Sequence, residues 1–338
     1  MSVVTTRPRA RARPFAAAAL AAVVFIAAVG IRAGTDLIGP AIALPSALAD
    51  FVALSLSVFI ESLPFVFLGI LLSTVVQVWV PRTVIDRVLP RNPALRRAVL
   101  SVTGVLLPVC ECGNVPLARG LMLRGFTVSE AATFLLAAPV LNPVTIITTY
   151  HAFGWSDGIL VSRIIGGFVI ANLAGWLLSR SADQSALLTP GFREHCAHSG
   201  HEARGDRLRR SAVGFAEETS ALMPALIIGS ALAGAIQVGA PRQMLVALGT
   251  HPLYSVLALM LLAFVIAICS SVDAFFILSL SATFLPGSIV AFLLFGAMMD
   301  VKMLALLRTT FTVRALALLT ALVALCCLVI GWGLNLVA

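Results

Sequence analysis

Charged residues are scarce in this sequence: only 11% of its 338 residues are Asp, Glu, Lys or Arg, whereas 60% are hydrophobic. A soluble chain of this length would need more charge to cover its surface. Several apolar stretches reach the roughly 20 residues that a helix needs to cross a bilayer. The composition therefore predicts an all-α integral membrane protein surrounded by the lipid bilayer.

The sequence also lacks the motifs of several other protein classes. It has no Gly-rich phosphate-binding loop with its lysine, so nothing in it supports ATP-driven pumping by this chain alone. Its net charge of +8 comes from arginines in short loops, without the interleaved aromatic residues that bind single-stranded nucleic acid. Its six cysteines do not form the framework of a secreted disulfide protein. We expect no enzymatic activity, no cofactor and no nucleic-acid partner.

The N-terminal segment is basic and then apolar, which resembles a signal peptide. No small-x-small cleavage site follows the apolar run at once, so we expect an uncleaved anchor span over residues 15–31. A cleaved signal is the alternative. The arginines before this span place the N-terminus in the cytoplasm. The sequence thus predicts a multi-pass plasma-membrane protein, and whether it forms a homo-oligomer is left open.

Nine apolar segments are candidates for crossing the membrane: 15–31, 53–80, 98–124, 128–150, 158–179, 212–239, 252–284, 287–308 and 314–334. If all nine crossed it, the arginine-rich stretch 180–211 would lie outside, against the positive-inside rule. That stretch lies inside if 98–124 is a re-entrant hairpin that turns at residues 110–114. A second hairpin over 252–284, which turns near residues 269–273, places Arg308 and Arg314 inside as well. We therefore predict seven crossings and two hairpins, with full crossings by both segments as the alternative.

The two halves of the sequence resemble each other. Residues 64–82 align without gaps to residues 224–242, and seven of the 19 positions are identical. Residues 134–145 match residues 292–303 at nearly the same offset. In the hairpin topology the halves run in opposite directions, so we expect an inverted repeat, a common plan in secondary transporters. The solute site then belongs where the broken segments of the two halves meet, near the midplane.

The repeat divides the sequence into four regions. These are a basic tail with the anchor span (1–50), a first transport repeat (51–180), a cytoplasmic basic loop (181–211) and a second transport repeat (212–338). The loop contains four potential metal ligands: His195, Cys196, His198 and His201. His-rich tracts bind zinc or copper, but the spacing is not that of a zinc finger. A metal-binding segment and a solvated linker are both kept as interpretations.

The stretch "PVCECGNVP", residues 108–116, interrupts an apolar segment with two thiols and a carboxylate. Thiolates select soft metals and metalloids, and Cys269 occupies the position equivalent to Cys110 in the second half. The Asn142–Pro143 pair breaks another segment, and it either lines a polar pocket or forms a kink satisfied by its neighbours. We predict a solute site lined by nine residues: Cys110, Glu111, Cys112, Gly113, Asn114, Asn142, Cys269, Ser270 and Ser271. The alternative for single cysteines is that they are small buried hydrophobic residues.

The charged residues that this topology places at membrane depth include Glu111, Asp273, Asp300 and Lys302. Each costs about 2.5–3.5 kcal/mol near the bilayer centre, which argues for a cavity, a partner or a protonated carboxyl group. Asp300 and Lys302 could form a structural ion pair. Glu111 and Asp273 have no obvious cationic neighbour in the sequence. Glu111, Asp273 and Asp300 are therefore the candidates for proton coupling.

Four motifs together resemble the YraQ/ArsP permease family: "PVCECGNVP", "APVLNPVT", "CSSVDAF" and "FGAMMDVK". The resemblance covers about residues 50 to 335. Its matching residues are Cys110, Cys112, Gly113, Pro116, Asn142, Pro143, Ser270, Asp273 and Asp300. It implies efflux of trivalent organoarsenicals such as methylarsenite, while some relatives are tied to copper or zinc efflux. This chain departs from the family at Glu111, where a small residue is usual, and at Ala297, where proline is frequent.

These observations predict a permease that exports a soft, thiophilic solute through a site built on a Cys-x-Cys break, with proton coupling. The leading solute is a trivalent arsenical. Two alternatives stay open. The added carboxylate at Glu111 could favour a cation, which suggests copper or zinc efflux. The Cys110 and Cys112 pair could instead belong to a membrane thiol redox or sensor protein.

Overall fold

The fold was analysed in a computed structural model that describes residues 46–81, 87, 89–106, 109–155, 158–198, 207–239 and 251–337. The predicted anchor span at 15–31 lies outside these residues. Over the described ranges the regular elements are all helical. The all-α prediction is therefore confirmed.

Over the described residues, the helices of the first half are α1 (Ser46–Trp79), α2 (Pro93–Thr103), α3 (Glu111–Leu123), α4 (Val128–Ala137), α5 (Pro143–Phe153) and α6 (Ile159–Ser179). A linker follows, with a 3₁₀ turn (Gln184–Leu187) and α7 (Pro190–His198). The helices of the second half are α8 (Arg207–Gly239), α9 (Tyr254–Ile266), α10 (Asp273–Leu278), α11 (Pro286–Met298), α12 (Val301–Leu307) and α13 (Val313–Val337). The halves therefore repeat one order of elements: a long helix, two short helices separated by a break, two more short helices, and a long helix.

Five stretches in the described part of the chain are long and apolar enough to span a membrane: α1, α6, α8, α11 with α12, and α13. The crossing predicted over residues 128–150 consists of α4 and α5, separated by the non-helical residues around Asn142. The chain is thus a multi-pass all-α membrane protein.

Both broken segments fold back on themselves. The first, hairpin 1, comprises α2 and α3, and Arg96 near its start forms a 2.7 Å ion pair with Glu130, just after its end. The Arg96 guanidinium also lies 5.2 Å from the ring centroid of Phe126. The second, hairpin 2, comprises α9 and α10, and the hydroxyl of Ser255 near its start lies 2.7 Å from that of Ser288, just after its end. Each segment therefore returns to the end of the bundle where it began, which supports the hairpin interpretation.

The turn of hairpin 1 lies earlier than predicted. We expected it at residues 110–114, but α3 already begins at Glu111, with Cys110 as its extended N-cap residue. The Cys110 carbonyl accepts the backbone N–H groups of Gly113 and Asn114. A carboxylate in the first turn favours helix formation because it faces the positive end of the helix dipole. In hairpin 2 the non-helical residues are 267–272, which agrees with the predicted turn.

Gly113 serves the packing of α3 rather than the turn. A Cβ atom on Gly69 of α1 would overlap the carbonyl oxygen of Gly113, and one on Gly113 would lie 2.5 Å from the carbonyl oxygen of Phe65. The two glycines therefore bring the backbones of α1 and α3 into direct contact, as small residues do between membrane helices. This contact fixes the position of the N-terminus of α3 relative to α1.

The equivalent long helices α1 and α8 pack against each other in opposite directions. At one end the Trp79 indole donates a 3.3 Å hydrogen bond to the hydroxyl of Ser211. At the other end a Cβ atom on Gly234 would overlap the side chain of Ser55. An inverted repeat requires this antiparallel arrangement, and the symmetry of the complete halves stays a prediction.

The linker docks on the end of the second half. Leu188 and Phe192 are buried, and the backbone N–H of Thr189 donates to the carbonyl of Thr310 at 2.9 Å. We call this end of the bundle the linker face; it includes residues 119–127, 184–198, 207–218 and 308–312. The topology prediction assigned all of these segments to one side of the membrane, and the structure brings them together.

Candidate solute site at the hairpin tips

The tips of the two hairpins meet at Glu111. The hydroxyl of Ser270 donates to Glu111 Oε2 at 3.2 Å, and the backbone N–H of Ser270 approaches the same oxygen at 3.5 Å. The Cys269 thiol lies 4.0 Å from that oxygen and 3.7 Å from the hydroxyl of Ser271. Residues predicted for the solute site in separate halves of the chain are therefore neighbours.

Two thiols and one carboxylate converge at this junction. The ligand atoms of Cys110, Glu111 and Cys269 all lie within 4.8 Å of one another, and the three side chains are buried. Cys112, two residues after Cys110 on the same helix, is fully buried as well. Sulfur ligands of this kind bind soft metals and metalloids. Among the described residues, this is the single cluster of three or more such potential ligands.

Glu111 has a cationic partner that the sequence did not reveal. The ammonium of Lys302 lies 3.5 Å from Glu111 Oε1, and each side chain is 1% exposed. Lys302 also donates to the carbonyl of Ala267 in the turn of hairpin 2 at 3.4 Å. The cation that Glu111 lacks in the neighbouring sequence is therefore supplied by the fold. Lys302 is the single lysine among the 23 basic residues of the chain. Its position inside an apolar segment was the feature of the sequence that could have indicated a buried ion pair.

The ion pair between Asp300 and Lys302, which the sequence offered as an alternative, is not formed; the ion-pair partner of Lys302 is Glu111. Asp300 is the N-cap residue of α12, where its Oδ1 accepts the backbone N–H of Met303 at 2.5 Å. This bond holds the carboxylate at the start of its own helix, while the longer Lys302 side chain reaches across to hairpin 1.

Asp273 is also paired, with an arginine that sequence reasoning missed. The guanidinium of Arg163 contacts both carboxylate oxygens, at 3.0 Å and 2.5 Å, and donates to the Thr149 hydroxyl at 2.7 Å. The side chain of Arg163 is 1% exposed. The signal for it was an arginine inside the apolar segment 158–179, where an unpaired charge is costly.

Asn142 holds the tip of hairpin 1 in place. Its side-chain oxygen accepts the N–H of Val144 at 2.9 Å and thereby caps α5, while its side-chain nitrogen donates to the carbonyl of Val109 at 3.0 Å. Both polar atoms are therefore engaged by the protein. This geometry makes Asn142 a positioning residue for the neighbouring Cys110.

We expect the Asn142→Asp variant to lose transport and about 1–3 kcal/mol of unfolding free energy. Aspartate keeps the acceptor that caps α5 but sets a carboxylate oxygen against the Val109 carbonyl. Uptake by membrane vesicles and thermal unfolding in detergent measure the two effects. Asn92→Asp is the matched control, because Asn92 also precedes a proline at a helix start and caps it by the same bond. Equal effects of the two substitutions would contradict a positioning role.

Several buried polar atoms near the site have no hydrogen-bond partner in the described part of the chain. They include both side-chain atoms of Asn114, the Oδ2 atom of Asp300 and the hydroxyl of Thr145. Buried polar groups are normally satisfied, so each exception calls for an explanation such as a bound solute or water. Asn114 lies one turn after Cys110, so the two residues share a face of α3. We call the group of Cys110, Glu111 and Cys269 the sulfur cluster.

The predicted metal ligands of the linker lie apart from this cluster. His195 is exposed on α7, and its ring stacks on Phe192 with centroids 6.4 Å apart. Cys196 is half-buried, and burial raises the pKa of its thiol, which makes the metal-binding thiolate scarcer. His198 is the last residue of α7, and His201 lies outside the described residues. Metal binding by this segment stays a prediction.

Comparison with known proteins agrees with the motif resemblance. Residues 47–336 match the model of the ArsP_1 family, which is described as a predicted permease. The UPF0718 protein YcgR of Bacillus subtilis is 36% identical over 269 residues, which cover 78% of this chain and 90% of the relative. A putative two-component membrane permease complex subunit of Streptococcus mutans is 32% identical over 292 residues, with 85% and 97% coverage.

A shorter match is the UPF0718 protein YraQ of Escherichia coli, which is 28% identical over 116 residues that cover 33% of this chain and 32% of the relative. No solved structure matches the chain significantly. The family match spans both halves and both hairpins, including every residue of the sulfur cluster. The chain therefore belongs to the ArsP_1 family of predicted permeases.

Proposed function

We propose that this membrane permease exports a soft, thiophilic solute, and that the solute is a trivalent arsenical. The observation that supports this most directly is the convergence of Cys110 and Cys269 on Glu111 from the tips of two hairpins in different halves. A site shared between halves can open to either side when the halves move relative to each other.

Reversible thiol exchange gives the permease a means of both capture and release. Methylarsenite, CH₃As(OH)₂, would exchange its two hydroxyl groups for the sulfurs of Cys110 and Cys269. Each exchange forms one As–S bond and releases one water molecule, which carries away the thiol proton. Hydrolysis on the other side of the membrane reverses both steps. A closed structural site with four ligands would hold its ion too firmly for such turnover.

The pairing of Glu111 with Lys302 favours a neutral arsenical over a metal cation. The added carboxylate of this chain would attract copper or zinc if it were uncompensated. Because the Lys302 ammonium lies 3.5 Å from it, the charge of this carboxylate has a direct counterion. A neutral solute therefore fits the junction better than a cation does.

Of the three carboxylates predicted for proton coupling, Asp300 is placed best. Glu111 and Asp273 are each held in an ion pair, so protonating either would leave a buried cation unpaired. Asp300 uses Oδ1 as a helix cap, whereas its Oδ2 has no hydrogen-bond partner among the described residues. We propose that Asp300 takes up and releases the coupling proton.

Uptake into inside-out vesicles tests the solute and the site together. Methylarsenite, arsenite, copper(I) and zinc are offered in parallel, with and without a proton gradient. We expect methylarsenite uptake that disappears in the Cys110→Ser, Cys112→Ser double variant, because serine oxygens do not replace sulfur ligands for a soft metalloid. Cys326→Ser is the control, since this half-buried thiol lies on α13, away from the sulfur cluster.

Three outcomes would contradict the proposal. Undiminished uptake by the double variant would exclude the sulfur site, and uptake of copper or zinc alone would exclude the arsenical. A chain that takes up none of the four but cycles its thiols under oxidant would be a redox or sensor protein. Purified chain and native membranes are compared, because the name of the Streptococcus mutans relative describes a subunit of a two-component complex.

A further inference from the structure

The buried ion pairs of this protein have a common arrangement. In the part of the chain that the structure describes, three pairs have both side chains less than 7% exposed: Glu111 with Lys302, Arg119 with Glu218, and Arg163 with Asp273. Each of the three joins a residue of the first half to a residue of the second half. The remaining described pair, Arg96 with Glu130, lies within the first half and leaves Arg96 25% exposed.

The three pairs lie at different depths. Glu111 begins α3 at the sulfur cluster, and Arg119 follows eight residues later, about 12 Å along the helix toward the linker face. Arg163 lies near the start of α6, whose other end is at the linker face, so it borders the sulfur cluster from the opposite side. One pair between the halves therefore lies on each side of the central pair.

The pair at the linker face is held by several elements at once. Arg119 donates from Nε to Glu218 at 2.8 Å and from Nη1 to the Thr310 hydroxyl at 2.9 Å. Its guanidinium also covers the ring of Phe192, 4.2 Å from the centroid. It thus connects α3, α7, α8 and the segment before α13 by a single side chain.

A cavity of about 380 Å³ is lined by this pair. Its lining includes Arg119, Glu218 and Phe192, together with the exposed residues His195 and Glu217. The exposed residues place the cavity at the linker face, and the ion pair forms part of its wall. Beyond the pair, Cys110 and Cys269 are only 3% and 4% exposed. The structure therefore has a vestibule that is separated from the sulfur cluster.

We propose that the Arg119–Glu218 pair and the Arg163–Asp273 pair are the two gates of transport, one on each side of the sulfur cluster. Both are closed in this structure, which therefore represents an occluded state. Opening the first pair joins the vestibule to the cluster, and opening the second exposes the cluster to the opposite face. This inference rests on the proposed permease function, because gates are needed only if the solute must reach the cluster from each side in turn.

An ion pair between two rigid halves is suited to this task. When the halves close, the two charges lose their hydration but gain each other and their hydrogen-bond partners. When the halves part, water restores the hydration of both charges. Because the large opposing terms nearly cancel, closed and open states can be close in free energy, as a reversible gate requires.

Thiol labelling from each side of the membrane tests the gates. The background variant carries Cys196→Ser, Cys326→Ala and Cys327→Ala, so that only the thiols at the hairpin tips remain. A membrane-impermeant maleimide is added to inside-out and to right-side-out vesicles. We expect Glu218→Gln to raise the labelling rate at least about tenfold in the orientation that exposes the linker face, which the predicted topology makes the inside-out one.

The second gate variant should show the opposite sidedness. Asp273→Asn is expected to raise labelling by a similar factor, but only in vesicles of the other orientation. Arg96→Gln, in the pair that lies within one half, is the matched control and should leave the labelling rate unchanged. The double variant Arg119→Glu, Glu218→Arg reverses the charges of the first gate. It should return the labelling rate to that of the background variant, because the reversed charges can pair again.

Labelling also separates the gates from damage to the fold. A variant that merely loosens the structure would admit the reagent from both sides, and this result would overturn the proposal. A gate variant that is labelled no faster than the background variant would overturn it as well. Labelling of both gate variants from one side would overturn it too. The readout needs no transported solute, so one-sided labelling combined with failed methylarsenite uptake would retain the gates and reject the arsenical.

Discussion

Replacing Lys302 by methionine is expected to lower the free energy of unfolding by about 3–5 kcal/mol, because it leaves the Glu111 carboxylate buried without its cation. Both side chains are 1% exposed, so water does not replace the lost partner in the closed structure. The change also removes the bond from Lys302 to the turn of hairpin 2. Thermal unfolding of the purified protein in detergent measures the effect.

A second substitution tests the cause. Lys302→Met combined with Glu111→Gln should recover most of the lost stability, because the double variant contains no unpaired buried charge. Arg96→Gln provides the comparison, since its partly exposed pair should contribute less than about 1 kcal/mol. A double variant as unstable as Lys302→Met alone would show that Lys302 acts through packing rather than through Glu111.

Gly69→Ala is expected to lower the free energy of unfolding by about 3 kcal/mol and to abolish transport. The added methyl group would overlap the carbonyl oxygen of Gly113. The obstacle is backbone, which cannot turn aside as a side chain can. Relief requires α3 to move away from α1, and α3 carries Cys110 at its start. Thermal unfolding and vesicle uptake of methylarsenite report the two consequences.

Gly333→Ala is the matched control for this substitution. Gly333 lies in the apolar helix α13, where a new Cβ atom would meet nothing within 4 Å. We expect the free energy of unfolding of this variant to lie within about 1 kcal/mol of that of the parent chain, because glycine and alanine differ here only in helix propensity. If Gly69→Ala were equally harmless, the contact between α1 and α3 would not determine the position of the sulfur cluster.

The main features of the fold could be predicted because they follow from costs that the membrane imposes. The positions of arginines in the loops favoured hairpins over full crossings for two segments, because positively charged loops stay on the cytoplasmic side. The turn of hairpin 1 was misplaced because the polar break at residues 110–114, which includes Gly113, was taken as the turn. The actual role of Gly113 depends on Gly69, which lies 44 positions earlier and whose contact no local pattern reveals.

The internal repeat made one part of the sulfur cluster predictable, namely the proximity of its two cysteines. Cys110 and Cys269 were expected together because they occupy equivalent positions, and the structure brings them to one junction. The partners of the buried carboxylates were not predictable in this way. Glu111 and Lys302 are 191 residues apart, and Arg163 and Asp273 are 110 apart. Pairs at such separations depend on how the halves pack, which a single sequence does not encode in any local signal.

The pairing of charges between halves has a consequence for biosynthesis. The first half contributes one negative and two positive charges to the three buried pairs, and the second half contributes the complementary set. During synthesis Glu111 therefore precedes Lys302 by 191 residues. Until the second half is inserted, the charges of the first half must stay hydrated or close to the membrane interface, because each costs about 2.5–3.5 kcal/mol in hydrocarbon. Docking of the halves, rather than insertion of single helices, is thus the step that completes folding of the newly made chain.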